Sequence, residues 1–219
     1  MNFAAIELAC RRAGLSVVGG LCPRAGDGAP VDCATLLLLG PGEPGFWARI
    51  KSSPEFSHEN PVDDWSVRVV SALADELGAR ALFPFGGPPH QPFVRWALGC
   101  GRVWQSPVGL LVHDVAGLML SFRGALAFSH KLALPEHPAN PPCATCAERP
   151  CLSACPVAAL TPDGYAVAKC HAYLETPKGH DCLSGGCQVR TACPVSRSYG
   201  RLAEQSAHHM KYFHKKADP

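Results

Sequence analysis

Two groups of four cysteines lie close together in the last third of the chain. Their spacings are C-x2-C-x4-C-x3-C and C-x11-C-x4-C-x5-C, and each group ends in Cys-Pro. Four thiolates complete the coordination of one [4Fe–4S] cluster, and four thiolates can also hold one structural zinc ion. The eight candidate metal ligands are Cys143, Cys146, Cys151, Cys155, Cys170, Cys182, Cys187 and Cys193.

Eight clustered cysteines are open to three interpretations. Disulfide frameworks are typical of short secreted domains, whereas this chain has 219 residues and its start predicts an amphipathic helix rather than an export signal. Zinc sites are built from CxxC half-sites, but only Cys143 and Cys146 have that spacing, and zinc does not require the two Cys-Pro endings. We therefore expect two [4Fe–4S] clusters and keep a zinc-stabilised binding module as the alternative.

The overall composition limits the partners of such a protein. A net charge of +2 and an isoelectric point near 8 give no reason to expect nucleic acid. No apolar run approaches the length of about 20 residues that spans a bilayer. Many thiols without an export signal are typical of the reducing cytoplasm. We expect a cytoplasmic protein that meets a redox partner protein rather than a membrane.

The cysteine region follows a proline-rich stretch at 134–142, and the residues before this stretch have an α/β pattern. The clearest predicted helix covers 61–78, because it has Pro61 in its first turn, Gly78 as its stop and an apolar stripe in steps of three and four. The other predicted elements are helices over 6–15, 44–50, 93–98 and 196–216, strands over 15–21, 34–40 and 81–85, and a β-hairpin formed by 108–114 and 117–128.

The cysteine region resembles the double-cluster ferredoxin domain of epoxyqueuosine reductases and reductive dehalogenases. CLSACPVAAL at 151–160 is similar to their CxxxCPTGAL, and CHAYLET at 170–176 is similar to their CISYLTIE. In bacterial two-cluster ferredoxins the fourth cysteine of each run ligates the other run's cluster. The resemblance implies one cluster on Cys143, Cys146, Cys151 and Cys193, and a second on Cys155, Cys170, Cys182 and Cys187.

The N-terminal half resembles the ligand-binding module in front of those ferredoxin domains, which also occurs in the cobalamin-processing CblC proteins. The segments 60–70, 83–101 and 106–128 carry this likeness. It implies an α+β protein in which a nitroreductase-like α/β sandwich, able to bind cobalamin or flavin, precedes the double-cluster domain. The expected domains are a ligand-binding module over 1–135, a loop- and helix-rich ferredoxin-like domain over 143–200, and a C-terminal helix and tail over 201–219.

Side chains in the matching segments are candidates for cofactor binding. A loop histidine could ligate cobalt, an arginine could pair with a phosphate or carboxylate, and a glycine allows close backbone approach to a ring. An exposed loop histidine and surface ion pairs are the simpler alternatives. The candidates are His90, Arg95, Gly99, Gly101 and Arg123. The cysteines outside the two groups, which are Cys10, Cys22, Cys33 and Cys100, are interpreted as buried thiols.

Two departures from the family limit the function that it implies. Pro89 stands where epoxyqueuosine reductases carry a proton-donating Asp, and no helical-repeat tRNA-binding extension follows the cysteines. We therefore do not expect reduction of a tRNA base, and we assign no catalytic residue. The expected function is an oxidoreductase that passes electrons through two [4Fe–4S] clusters to a cofactor or substrate in a cleft lined by 84–101 and 106–128. A non-catalytic ferredoxin-type carrier or corrinoid-binding scaffold remains open.

Overall fold

The computed structural model describes residues 2–137 and 140–215, and the chain divides into two compact units. The first unit comprises 1–103 and 121–139, and the second comprises 104–120 and 140–219. Helices and antiparallel strands both occur, which confirms a mixed α+β class. Of the described helices, none is long and apolar enough to cross a membrane.

A four-stranded antiparallel sheet forms the centre of the first unit, with the strand order β1 (Leu15–Leu21), β2 (Thr35–Pro41), β6 (Gly124–Phe128) and β3 (Arg80–Leu82). The predicted strand at 34–40 is confirmed as β2, and Leu36 to Leu39 are fully buried. A strand that is covered on both faces needs such a continuous apolar run. Leu37 faces Leu126 across the β2–β6 pair.

Helices pack their apolar residues into the core of this unit. The predicted helix at 61–78 is confirmed as α3 (Pro61–Leu77), and Gly78 ends it in the left-handed conformation with φ 63°. Its residues Trp65, Leu73 and Leu77 are buried in the core cluster. The other helices are α1 (Phe3–Arg12), α2 (Phe46–Lys51) and α4 (Phe93–Gly99), with a 3₁₀ turn at Pro54–Ser57.

The predicted β-hairpin of 108–114 and 117–128 is wrong except for one antiparallel bridge between His113 and Gly117. Strand β5 (Leu111–His113) pairs with β4 (Val103–Gln105), while β6 pairs with β2 and β3. All five residues of β6 are buried, so this strand takes an interior position with a neighbour on each side. The 106–128 segment is therefore not a single hairpin.

The segment 104–120 belongs to the second unit, so the first domain does not run unbroken to 135 as expected. Val108, Val112 and Leu118 of this segment form an apolar cluster with residues of the cysteine region. Gly117 lies so close to Ser196 that an added Cβ would come within 2.5 Å of the Ser196 backbone nitrogen. Apolar burial and this close approach explain why the segment joins the cysteine region.

The second unit is built from short elements. The predicted helix at 196–216 is interrupted at Gly200, which has a φ of 82°, and Lys216 lies outside the described residues. Helix α9 (Ala203–Phe213) packs against α6 (His180–Gly185), so it is part of this unit and not a separate C-terminal part. The other helices are α5 (Val167–Leu174), α7 (Gln188–Ala192) and α8 (Pro194–Arg197); 3₁₀ turns cover Pro142–Ala144, Pro150–Leu152 and Pro177–Gly179, and a small hairpin joins β7 (Leu160–Thr161) to β8 (Gly164–Tyr165).

Candidate metal sites

Four cysteine thiols line a cavity of about 320 Å³ in the second unit. They come from both cysteine groups: three from the first and the last cysteine of the second. Apolar side chains and four prolines form most of the remaining wall. The four cysteines of this first cavity are Cys143, Cys146, Cys151 and Cys193.

Short proline-containing turns position the thiols of the first cavity. Cys143 and Cys151 each follow a proline within a 3₁₀ turn, and Cys193 is the N-cap of α8. Burial raises the pKa of the Cys143 thiol, and negative charge on the nearby Cys151 and Cys193 sulfurs raises it further. A positively charged metal centre beside these sulfurs would reverse the effect and favour their thiolate forms.

The other four cysteines line a second cavity of about 80 Å³. Its wall is mostly apolar and includes Leu160, Leu174, Val189 and Phe213. The cysteines again come from both groups: the last of the first group and three of the second. They are Cys155, Cys170, Cys182 and Cys187.

Cys155 lies in a loop whose backbone N–H groups point at its sulfur. The Ala159 N–H donates to Cys155 Sγ with an N···S distance of 3.2 Å. Burial alone would raise the pKa of this thiol, but the N–H groups of residues 157–160 outweigh that effect and hold the pKa below its usual value. Ala158 has a left-handed φ of 48°, which bends the loop around the sulfur. The loop therefore stabilises a thiolate.

Helices α5 and α6 carry two further thiols of the second cavity. Cys170 lies on α5, and Cys182 lies on α6. Burial raises the pKa of the Cys170 thiol, and a hydrogen bond from the Tyr165 hydroxyl opposes that rise. Burial also raises the pKa of Cys182, against a backbone hydrogen bond from Gln188. Both sulfurs therefore have hydrogen-bond donors beside them.

The cysteines are thus grouped four and four, in the same two sets that the family resemblance implies. Within residues 2–137 and 140–215, no three His, Cys, Asp or Glu side chains are close enough to hold a single metal ion. A [4Fe–4S] cluster is held by four thiolates, and hydrogen bonds to sulfur tune its potential. The donor sets and cavities fit that group, and cluster binding itself stays a prediction.

The cofactor candidates of the first unit have other surroundings. Arg95 Nη1 donates to the Gly26 carbonyl at 2.6 Å, and Arg123 Nη1 lies 3.4 Å from Asp63 Oδ1. His90 is exposed, with its ring folded against Gly87. Two glycines have backbone roles: Gly99 is the last residue of α4, and Gly101, after the C-cap Cys100, has a φ of 76°.

Three residues that sequence reasoning missed line the two cavities. Arg190 and Tyr165 belong to the wall of the second cavity. Ser106 belongs to the wall of the first, and its buried hydroxyl has no hydrogen-bond partner within the described part of the chain. In the sequence, Arg190 lies between the candidate ligands Cys187 and Cys193, and this position could have identified it as a residue near the metal site.

The remaining cysteines divide by exposure. Cys10 and Cys100 are buried, as expected. Cys22 is exposed and Cys33 is half-buried, so the expectation of a buried thiol is wrong for Cys22. Cys33 Sγ donates to the Thr35 carbonyl at 3.3 Å.

No protein-family model, no curated protein and no solved structure matches this chain. The functional assignment therefore depends on the cysteine spacing and on the geometry of the two cavities.

Proposed function

We propose that this chain is an iron–sulfur electron-transfer protein that holds two [4Fe–4S] clusters in its second unit. One observation carries the proposal: eight cysteines divide four and four around two cavities, and each set takes its fourth member from the other group. This exchange is typical of two-cluster ferredoxins. Disulfides would instead join cysteines in pairs.

When bound, the clusters supply one-electron transfer. The chain's own residues hold the iron through thiolates, keep water away with apolar walls and donate hydrogen bonds to sulfur. The Ala159 N–H does this at Cys155, and the Tyr165 hydroxyl does it at Cys170. Burial and hydrogen bonds to sulfur are the means by which a protein sets a cluster's potential.

Two versions of this function differ in the electron acceptor. In the first, the chain is an oxidoreductase whose first unit binds a corrinoid, a flavin or a substrate. In the second, the chain is a carrier between redox partner proteins. The contact of Arg95 favours the carrier, because its guanidinium group already donates to the Gly26 carbonyl. The buried Nε of Arg123 has no hydrogen-bond partner among the described residues, which favours the oxidoreductase.

Anaerobic purification followed by metal and sulfide analysis tests the clusters. We expect about eight iron and about eight sulfide per chain, since each cluster holds four of each. Visible absorbance should be broad and should bleach with dithionite. Stoichiometric zinc without sulfide would contradict the proposal and favour a zinc-stabilised binding module.

Titration with cobalamin, FMN and FAD separates the two versions. The Trp96 indole N–H donates to the Asp27 carbonyl within the first unit, so its fluorescence reports on that region. A carrier should show no saturable change with any of the three. Saturable binding that Arg123→Ala weakens, with the iron content unchanged, would favour a ligand-binding first unit, as in the oxidoreductase or a corrinoid-binding scaffold.

A further inference from the structure

Arg190 lies in the wall of the second cavity, on helix α7. Its Nη1 donates to the Leu118 carbonyl with an N···O distance of 2.5 Å. Leu118 is held in turn, because its backbone N–H donates to Ser196 Oγ at 2.9 Å. The guanidinium therefore has a defined position: Arg190 lines the second cavity and not the first, although the carbonyl that holds it belongs to Leu118 in the wall of the first.

The surroundings of Arg190 make its charge effective. No other Lys or Arg, and no Asp or Glu, is among the described residues that line this cavity; His209, two tyrosines and the four thiols are the other titratable groups there. Burial lowers the pKa of Arg190, whereas the neighbouring Cys187 thiolate favours its charged form. Arginine keeps its charge in proteins. A charge in a mostly apolar wall acts strongly because little water screens it.

The first cavity has no such excess charge. Its wall contains both Glu148 and Arg149, and both side chains belong to exposed residues. Opposite charges in contact with water largely cancel. The two cavities therefore present the same four thiols in different electrostatic settings.

We propose that Arg190, through its positive charge, raises the reduction potential of the cluster in the second cavity above that of the cluster in the first. Reduction takes one electron from a low-potential one-electron donor and adds one negative charge to the cluster. A fixed cation beside the cluster stabilises that added charge. This inference rests on the proposed function, and it makes the second cavity the place where the transferred electron resides.

Redox titrations of the cluster-loaded protein test the inference. The two midpoints are assigned with Cys182→Ala, which should remove the wave of the second cavity, and Cys146→Ala, which should remove that of the first. Arg190→Gln should lower the second midpoint by at least tenfold in the reduction equilibrium, about 59 mV for a one-electron couple. Arg190→Lys, which keeps the charge, should shift it less. Arg149→Gln, the matched control at the first cavity, should leave the second midpoint unchanged.

An unchanged second midpoint in Arg190→Gln overturns the inference. A shift in Arg190→Lys as large as that in Arg190→Gln also overturns it. If Arg190→Gln loses the second cluster, Gln188→Glu decides, because it places a carboxylate on the same wall. It should lower the second midpoint, and no shift overturns the inference. Absence of clusters in the unmodified protein would instead overturn the proposed function.

Discussion

Cys193 and Cys143 line one cavity although they stand at opposite ends of the cysteine region. Negative charge on Cys193 contributes to the raised pKa of Cys143. A metal centre at this cavity would connect both ends of the region. Because metal binding and folding are coupled, such a centre would stabilise the whole second unit.

Cys193→Ala should remove the cluster of the first cavity. We expect the iron content to fall by about four per chain, since one cluster loses a ligand while the other keeps all four. The thermal unfolding temperature of the second unit should fall as well. Iron analysis and calorimetry check this, with Cys22→Ala as the control because Cys22 is exposed and lines neither cavity. Loss of a cluster held by Cys170, Cys182 and Cys187 would contradict the grouping.

Cys155→Ala should remove the cluster of the second cavity, whereas Cys151→Ala should remove that of the first. The two cysteines are close in sequence, but Cys155 lines the second cavity and Cys151 lines the first. In the Cys146→Ala background, which keeps only the second cluster, Cys155→Ala should remove the remaining iron and Cys151→Ala should not. Equal loss in both double variants would mean that neighbouring cysteines share one cluster.

Leu37→Ala should destabilise the first unit by about 2–5 kcal/mol, because it leaves a cavity at a fully buried position opposite Leu126. Urea unfolding followed by tryptophan fluorescence measures this free energy. The cluster content of the folded protein should not change, since Leu37 lies in the first unit. The matched control is Leu8→Ala on α1, where the side chain is exposed and the cost should be small. Similar costs for both variants would contradict the described core.

Glu55→Gln should lower the stability of the first unit against unfolding by an amount that depends on pH. Two hydrogen bonds from Arg68 hold the pKa of Glu55 at about 2, well below its usual value. A carboxyl group whose pKa is lowered by folding stabilises the protein above its unfolded pKa and loses that effect as the pH falls through the folded pKa. The difference in urea midpoint between the unmodified protein and Glu55→Gln should be largest above pH ~5 and should shrink toward pH ~2.

Ser57→Ala is the control for Glu55→Gln, because it alters the same 3₁₀ turn without touching the ion pair. Its difference from the unmodified protein should not depend on pH. A pH-independent difference for Glu55→Gln would show that the Arg68 contact does not lower the carboxyl pKa.

Local signals made several elements predictable. Pro61 and Gly78 mark the ends of α3 because their backbone preferences act within one turn of the helix. The apolar run at 34–40 predicted β2, since a strand buried on both faces cannot alternate. The identity of the eight candidate ligands likewise follows from residue type and spacing, which are properties of the sequence itself.

Tertiary structure decided what depends on distant residues. The neighbours of β6 are β2 and β3, and no local pattern distinguishes this pairing from the hairpin that proximity in sequence predicts. Arg95 and Arg123 bond protein oxygens that only the fold brings near them. Arg190 is one charged residue among many in the sequence; its position beside four thiols depends on the Leu118 carbonyl, which lies far away along the chain. Long-range pairing and burial belong to the packed chain, because they depend on which surfaces exclude water together.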